Sequence, residues 1–123
     1  MAKQVVDIRV RAMQYAVRAI KLFRHLSRLK DDVAGIIGKQ YLRSATSIGA
    51  NLVEGLSGES RRDFIHKYSI AQKEARESLY WLNLLVLGEV VPQKRVANLI
   101  DETNQLIAIL TAIIVKSKAT TAK

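Results

Sequence analysis

The chain has 123 residues, no cysteine, one proline and 49% hydrophobic residues. This length predicts a single domain over residues 1–123, and the lack of cysteine excludes disulfides and thiolate metal sites. The net charge of +9 at neutral pH favours an acidic partner such as nucleic acid.

No segment of the sequence predicts secretion or a membrane span. Charged residues recur through the first 20 positions, so these lack the apolar core of a signal sequence. The longest apolar block lies at residues 106–115 and is interrupted only by Thr111. It is shorter than the ~20 residues that cross a bilayer. We therefore expect a cytoplasmic protein that makes no membrane contact.

A first helix is predicted over residues 7–29. Apolar side chains recur at helical spacing on one face, and residues 30–35 then break the pattern. The members of this face are Ile8, Ala12, Tyr15, Ala16, Ala19, Leu22, Phe23 and Leu26.

The other side of this helix is strongly basic. Residues 1–30 hold eight Lys or Arg and one Asp, so most of the net charge lies there. At about 100° per residue the polar side chains fill a sector of roughly 140° opposite the apolar face. The sector contains Arg11, Gln14, Arg18, Lys21, Arg24, His25 and Arg28.

This basic sector predicts contacts with nucleic-acid phosphates. Acids that could form i,i+4 ion pairs are nearly absent from the helix, so its positive charge is one-sided. The competing interpretation is a solvated face that only keeps the protein soluble. We assign the binding of RNA or an RNA–DNA hybrid to Arg11, Arg18, Lys21, Arg24 and Arg28.

Two further helices are predicted over residues 36–55 and 60–87, and they form an antiparallel hairpin. Gly55 suits a helix C-terminus, and Ser60 followed by Asp63 matches a helix start signal. Small residues around Gly49 would let a neighbouring backbone approach closely. The inner positions are Tyr41, Ala45, Ile48, Leu52 and Leu56, then Phe64, Tyr68, Ala71, Ala75, Leu79 and Leu82.

A fourth helix is predicted over residues 92–116, with Pro92 in its first turn and a frayed tail at 117–123. Its inner positions are Val96, Ile100, Thr103, Ile107, Leu110 and Ile114. Four helices without alternating strand patterns predict an all-α, antiparallel up-down-up-down four-helix bundle.

The last two helices carry more apolar residues than one inner face needs. An exposed band of this kind would favour aggregation of a monomer, so we expect a subunit interface. The candidate interface residues are Trp81, Leu84, Ile109 and Ile113.

Catalysis is the least supported class of function. A di-metal bundle centre needs two Glu-x-x-His pairs, and the sequence offers only Asp63 and His66 at that spacing. No phosphate loop or nucleophile with its base is visible. Asn51 and Glu54 could form a polar site, but a structural tie to the adjoining turn or helix explains them better. We predict a non-enzyme without metal or cofactor.

Several runs of residues together resemble the four-helix-bundle intervening-sequence proteins, some of which are encoded inside insertions of bacterial large-subunit rRNA genes. The runs are RSATSIGAN at 43–51, Glu54-Gly55, ESRRDFIHK at 59–67, KEARE at 73–77 and YWL at 80–82. The same fold family includes the accessory variability determinants of diversity-generating retroelements, which form pentamers and assist a reverse transcriptase.

This resemblance implies a homo-oligomeric, pentameric ring. It also implies a role as a basic accessory to a reverse transcriptase in a diversity-generating retroelement. The alternative that it leaves open is a protein-interaction scaffold of the intervening-sequence type, with no physiological nucleic-acid ligand.

Overall fold

Helices that are adjacent in the sequence pack beside one another, and the first also contacts the last. The computed structural model describes residues 7–57 and 60–121, and these ranges contain no strand. The helices are α1 (Ile8–Arg28), α2 (Asp32–Leu56), α3 (Arg61–Leu87) and α4 (Gln93–Thr121). The predicted all-α four-helix bundle is therefore confirmed, whereas the ring of subunits stays a prediction.

Contacts between neighbouring helices show their antiparallel order. Along α2, Gly38 lies against Leu26 and Gly49 lies against Ala12, so α1 runs in the opposite direction. A Cβ at Gly49 would lie 3.5 Å from the Ala12 Cβ, an ordinary van der Waals contact, so the predicted need for glycine there stays a prediction. The pairs between α2 and α3 follow the same reversed order: Glu54 with Lys67, Ser44 with Ser78, and Arg43 with Glu77.

Two helix boundaries differ from the prediction by several residues. Helix α2 begins at Asp32, before the predicted residue 36, because the Asp31 carboxylate accepts from the backbone N–H groups of Val33 and Ala34 at 2.8 and 3.3 Å. Helix α4 continues to Thr121, so the tail predicted to fray at 117–123 is helical as far as 121. Residues 122 and 123 lie outside the described residues.

Gly55 does not end α2 as predicted. The helix continues through Leu56, and Ser57 is its C-cap. A Cβ at Gly55 would lie 3.1 Å from two ring carbons of Tyr68, so glycine allows α3 to approach closely. The predicted start of α3 is confirmed, because the Ser60 hydroxyl accepts from the Asp63 backbone N–H at 3.1 Å.

Most predicted inner positions are buried, including Ala12, Ala45, Ala75 and Leu110. Leu56 is an exception, because it lies at the end of α2 and is 49% exposed. The periodic pattern thus identified most of the core, but Leu85, Leu99 and Leu106 are buried at positions that it did not include.

Helix α4 is long and apolar enough to cross a membrane by length and composition alone. The sequence prediction depended on the apolar block at 106–115, which is shorter than the apolar part of this helix. In the bundle, however, Val96, Leu106 and Leu110 of this helix are buried against the other helices. One such helix is weak evidence for a membrane span, because the core helix of a soluble bundle has a similar composition.

Candidate nucleic-acid interface

Arg11 holds α1 to α4. Its guanidinium donates to both carboxylate oxygens of Glu102, at 2.7 and 3.1 Å, and to Gln105 Oε1 at 2.9 Å. The hydrogen bond to Glu102 raises the pKa of Arg11. The charge is neutralised within the protein, so we remove Arg11 from the predicted phosphate contacts.

The other predicted contacts of α1 are unpaired. Arg24 and Arg28 are exposed, Arg18 is half-buried and Lys21 is exposed. In the part of the chain that the structure describes, none of the four makes an ion pair with a carboxylate. Their charges are therefore available to a polyanion.

A groove of about 260 Å³ lies between α1 and α4, and its polar lining is basic. Arg18, Lys21 and His25 line it from α1, and Arg95 and Asn98 line it from α4. Its apolar lining is Leu22 and Leu99. No carboxylate is among the described residues that line this groove. Its basic and amide side chains can therefore donate hydrogen bonds to an anion, beside the two leucines.

A second groove, about 540 Å³ in volume, adjoins the first near the turn between α3 and α4. Lys94 lines it together with His25 and Arg95, which both grooves share. The remaining lining residues are apolar, namely Leu29, Val90, Val91 and Pro92. The described residues that line this groove again include no carboxylate. The two grooves together form one continuous basic surface, which we call the α1–α4 surface.

Sequence reasoning missed the contribution of α4 to this surface. Lys94 and Arg95 follow Gln93, the first residue of the helix. This basic pair was the available signal, but its position beside α1 depends on the packing of the bundle.

His25 is half-buried within these cations. Burial lowers its pKa, and the positive charges of Arg95 and Arg28 lower it further. The imidazole is therefore uncharged at neutral pH, as expected for a histidine in a basic helix.

The outward side of α1 is less uniformly basic than the sequence predicts. Val10, Met13, Val17 and Ile20 are exposed at spacings of three and four residues, and Met13 is 64% exposed. They form an apolar stripe beside the basic sector. The predicted basic sector therefore shares the solvent face with this stripe, and its Arg11 is paired with Glu102 of α4.

The predicted interface residues of α3 and α4 are all partly buried: Trp81, Leu84, Ile109 and Ile113. Trp81 donates its indole N–H to Glu77 at 2.9 Å. Of these four, Trp81, Ile109 and Ile113 pack against the hydrophobic core, and Leu84 is partly buried. Their assignment to a subunit interface stays a prediction.

Asp63 and His66 were the two residues that the sequence offered at metal-ligand spacing. Both residues are exposed on α3, and the described residues contain no cluster of three His, Asp or Glu that could hold a metal ion. The Asn51 and Glu54 pair is structural, as the sequence favoured. Glu54 accepts from Lys67 of α3 at 2.7 Å, while Asn51 donates to a carbonyl of its own helix.

Comparison with solved structures supports the fold. The chain is similar to a protein of unknown function from the S23 ribosomal protein family of Bacteroides thetaiotaomicron VPI-5482, with 37% identity and a TM-score of 0.82. The match covers 88% of this chain and 98% of the other. No curated protein matches the chain. Nothing in these comparisons points to catalysis.

The family comparison agrees with the motifs of α2 and α3. A family model described as 23S rRNA-intervening sequence protein matches residues 5–112. This range includes the basic residues of α1 and the start of α4. The chain belongs to the 23S rRNA-intervening sequence protein family.

Proposed function

We propose that this protein is a non-catalytic, cytoplasmic, homo-oligomeric accessory that binds RNA or an RNA–DNA hybrid through the α1–α4 surface. The observation that carries this proposal is the pair of adjoining grooves lined by Arg18, Lys21, Arg95 and Lys94 without a carboxylate. A phosphate backbone supplies the missing negative charge, and its binding releases counterions.

A diversity-generating retroelement is the proposed setting, with a reverse transcriptase as the protein that this accessory assists. The support is the resemblance of its motifs together with its basic charge. A reverse transcriptase gene and template and variable repeats beside the gene would support this setting. Location within an rRNA gene would favour the scaffold alternative.

The scaffold alternative has its own structural support. The exposed apolar stripe of α1, formed by Val10, Met13, Val17 and Ile20, could contact a protein partner. This function requires no nucleic acid. Binding measurements therefore distinguish the two proposals.

The test uses two variants with the same change in net charge. One carries Arg18→Glu, Lys21→Glu and Arg95→Glu in the α1–α4 surface. The control carries Lys39→Glu, Lys73→Glu and Arg76→Glu, at exposed positions of α2 and α3 that line neither groove. Arg11 is left unchanged because its substitution would break the contact with Glu102.

Binding is measured by fluorescence anisotropy with structured RNA and an RNA–DNA hybrid, and circular dichroism checks helix content. We expect the surface variant to lose binding and the control to keep most of it. The affinity of the unmodified protein should fall linearly with salt on logarithmic axes, with a slope of about 0.7 to 0.9 per phosphate contact. Failure of the unmodified protein to bind at low salt would reject nucleic-acid binding, and equal loss in both variants would reject the proposed surface.

A further inference from the structure

His25 lies where the two grooves of the α1–α4 surface meet, and it shares this position with Arg95. The imidazole is half-buried, so its ring is held at the boundary between α1 and α4. A ligand bound where the grooves meet would therefore contact both side chains.

Among the described residues, the charged groups that line the grooves with His25 or lower its pKa are all positive. They are Arg18, Lys21 and Arg28 of α1 and Lys94 and Arg95 of α4. No carboxylate is among the described residues that line either groove, so the groove lining offers no group that favours the imidazolium form.

A phosphodiester that enters the groove would favour the imidazolium form instead, because it places a negative charge beside the imidazole. The imidazolium has two N–H donors, whereas the neutral ring has one, so protonation also adds a hydrogen-bond donor for phosphate oxygen. We infer that His25 takes up a proton from solvent when a phosphodiester group binds beside Arg95, which makes the α1–α4 surface a proton-linked phosphate site. This inference rests on the proposed nucleic-acid binding.

The direction in which affinity changes with pH follows from whether His25 holds the extra proton in the free or in the bound state. The bound state holds more protons than the free state, so affinity rises as pH falls through the pKa that His25 has in the complex. Each unit by which bound phosphate raises that pKa can strengthen binding by up to about tenfold. A phosphodiester stays fully ionised over this range, so the ligand contributes no titration of its own.

His66 supplies a matched control. It is the other histidine of the chain, it is exposed on α3, and it lines neither groove. His66→Gln and His25→Gln make the same chemical change, but only His25→Gln removes a titrating group from the α1–α4 surface.

The experiment measures the affinity of the unmodified protein and both variants for a single-stranded oligouridylate, from about pH 8 to about pH 5.5 at constant ionic strength. We expect binding by the unmodified protein and by His66→Gln to tighten about three- to tenfold as pH falls. The His25→Gln variant should bind at high pH like the unmodified protein and should lack this increase. An equal pH dependence in His25→Gln would overturn the linkage while leaving nucleic-acid binding intact.

Nuclear magnetic resonance of the imidazole protons gives a second readout that does not depend on affinity. The pKa of His25 should rise when the oligouridylate is bound. An unchanged pKa of His25 in the complex would overturn the inference. Absence of binding at every pH would instead remove the proposed function, and the linkage with it.

Discussion

The Tyr41 hydroxyl donates to the Tyr15 hydroxyl at 3.0 Å in the centre of the bundle. Thr103 lies 2.5 Å from Tyr15 and donates its own proton to the Leu99 carbonyl at 2.6 Å. Tyr15 is therefore the donor to Thr103, and the bonds form a directed chain from α2 through α1 to α4. Burial raises the pKa values of both tyrosines, so their hydroxyls remain protonated donors.

The directed chain predicts unequal effects of removing the two hydroxyls. Tyr15→Phe leaves the buried Tyr41 donor without its acceptor and also removes the bond to Thr103. Tyr41→Phe removes only the hydroxyl that donates to Tyr15 and leaves the bond from Tyr15 to Thr103 in place. We expect Tyr15→Phe to lower the free energy of unfolding by about 1–3 kcal/mol and Tyr41→Phe to lower it less.

Urea unfolding followed by circular dichroism measures this difference. Tyr80→Phe serves as the control, because Tyr80 is 59% exposed and should lose little stability. A larger loss from Tyr41→Phe than from Tyr15→Phe would contradict the direction of the chain.

Glycines of α2 provide a second prediction about packing. Gly55→Ala should destabilise the bundle, because the new Cβ would lie 3.1 Å from the ring of Tyr68 and α3 would have to shift. Gly35→Ala should stabilise it by up to about 1 kcal/mol, because no atom lies within 4 Å and alanine favours the helix. Thermal unfolding of both variants tests this, and a stabilising Gly55→Ala would show that α3 accommodates the methyl group easily.

The Arg11–Glu102 pair should contribute to stability. Their side chains are only 22% and 18% exposed, so Arg11→Ala leaves a poorly solvated carboxylate. We expect a loss of about 1–3 kcal/mol. Arg9→Ala is the control, because Arg9 pairs with Asp7 on the surface and its loss should change stability little.

A double-mutant cycle with Glu102→Gln isolates the energy of this contact. If the losses from Arg11→Ala and Glu102→Gln simply add, the two side chains do not interact in solution. Such a result would return Arg11 to the residues available for phosphate binding.

The fourth prediction concerns assembly. Light scattering should give a mass near about five chains for a closed ring of subunits. Tyr80→Lys on α3 should lower this mass without loss of helix content, because Tyr80 is exposed and lies edge-on against Trp81. Substitution of Trp81 itself is less informative, since it packs partly against the core.

Met13→Lys supplies the comparison, because it places the same charge in the apolar stripe of α1. If only the Met13→Lys variant has a lower mass, the subunit interface lies on α1 and not on α3 and α4. A monomer at micromolar concentration in the unmodified protein would remove the prediction of assembly altogether.

Local pattern was sufficient to predict the helices and most of the core. Ala12, Ala19 and Leu26 are each separated by close to two helical turns, and burial of one face requires only that spacing. The prediction was wrong at the start of α2, where Asp31 and Asp32 were interpreted as a break. An acidic N-cap followed by an acid in the first turn is itself a start signal, so the sequence contained the necessary information.

Periodicity and composition were enough to predict the four amphipathic helices, their antiparallel connections and the concentration of charge in α1. Which of those charges are available depends on contacts between residues that are far apart in the sequence. Arg11 and Glu102 are 91 residues apart, and the meeting of His25 with Arg95 likewise depends on how α1 is rotated and aligned beside α4. Helical periodicity places a side chain on a face, but the packing of all four helices sets the partner that the face meets.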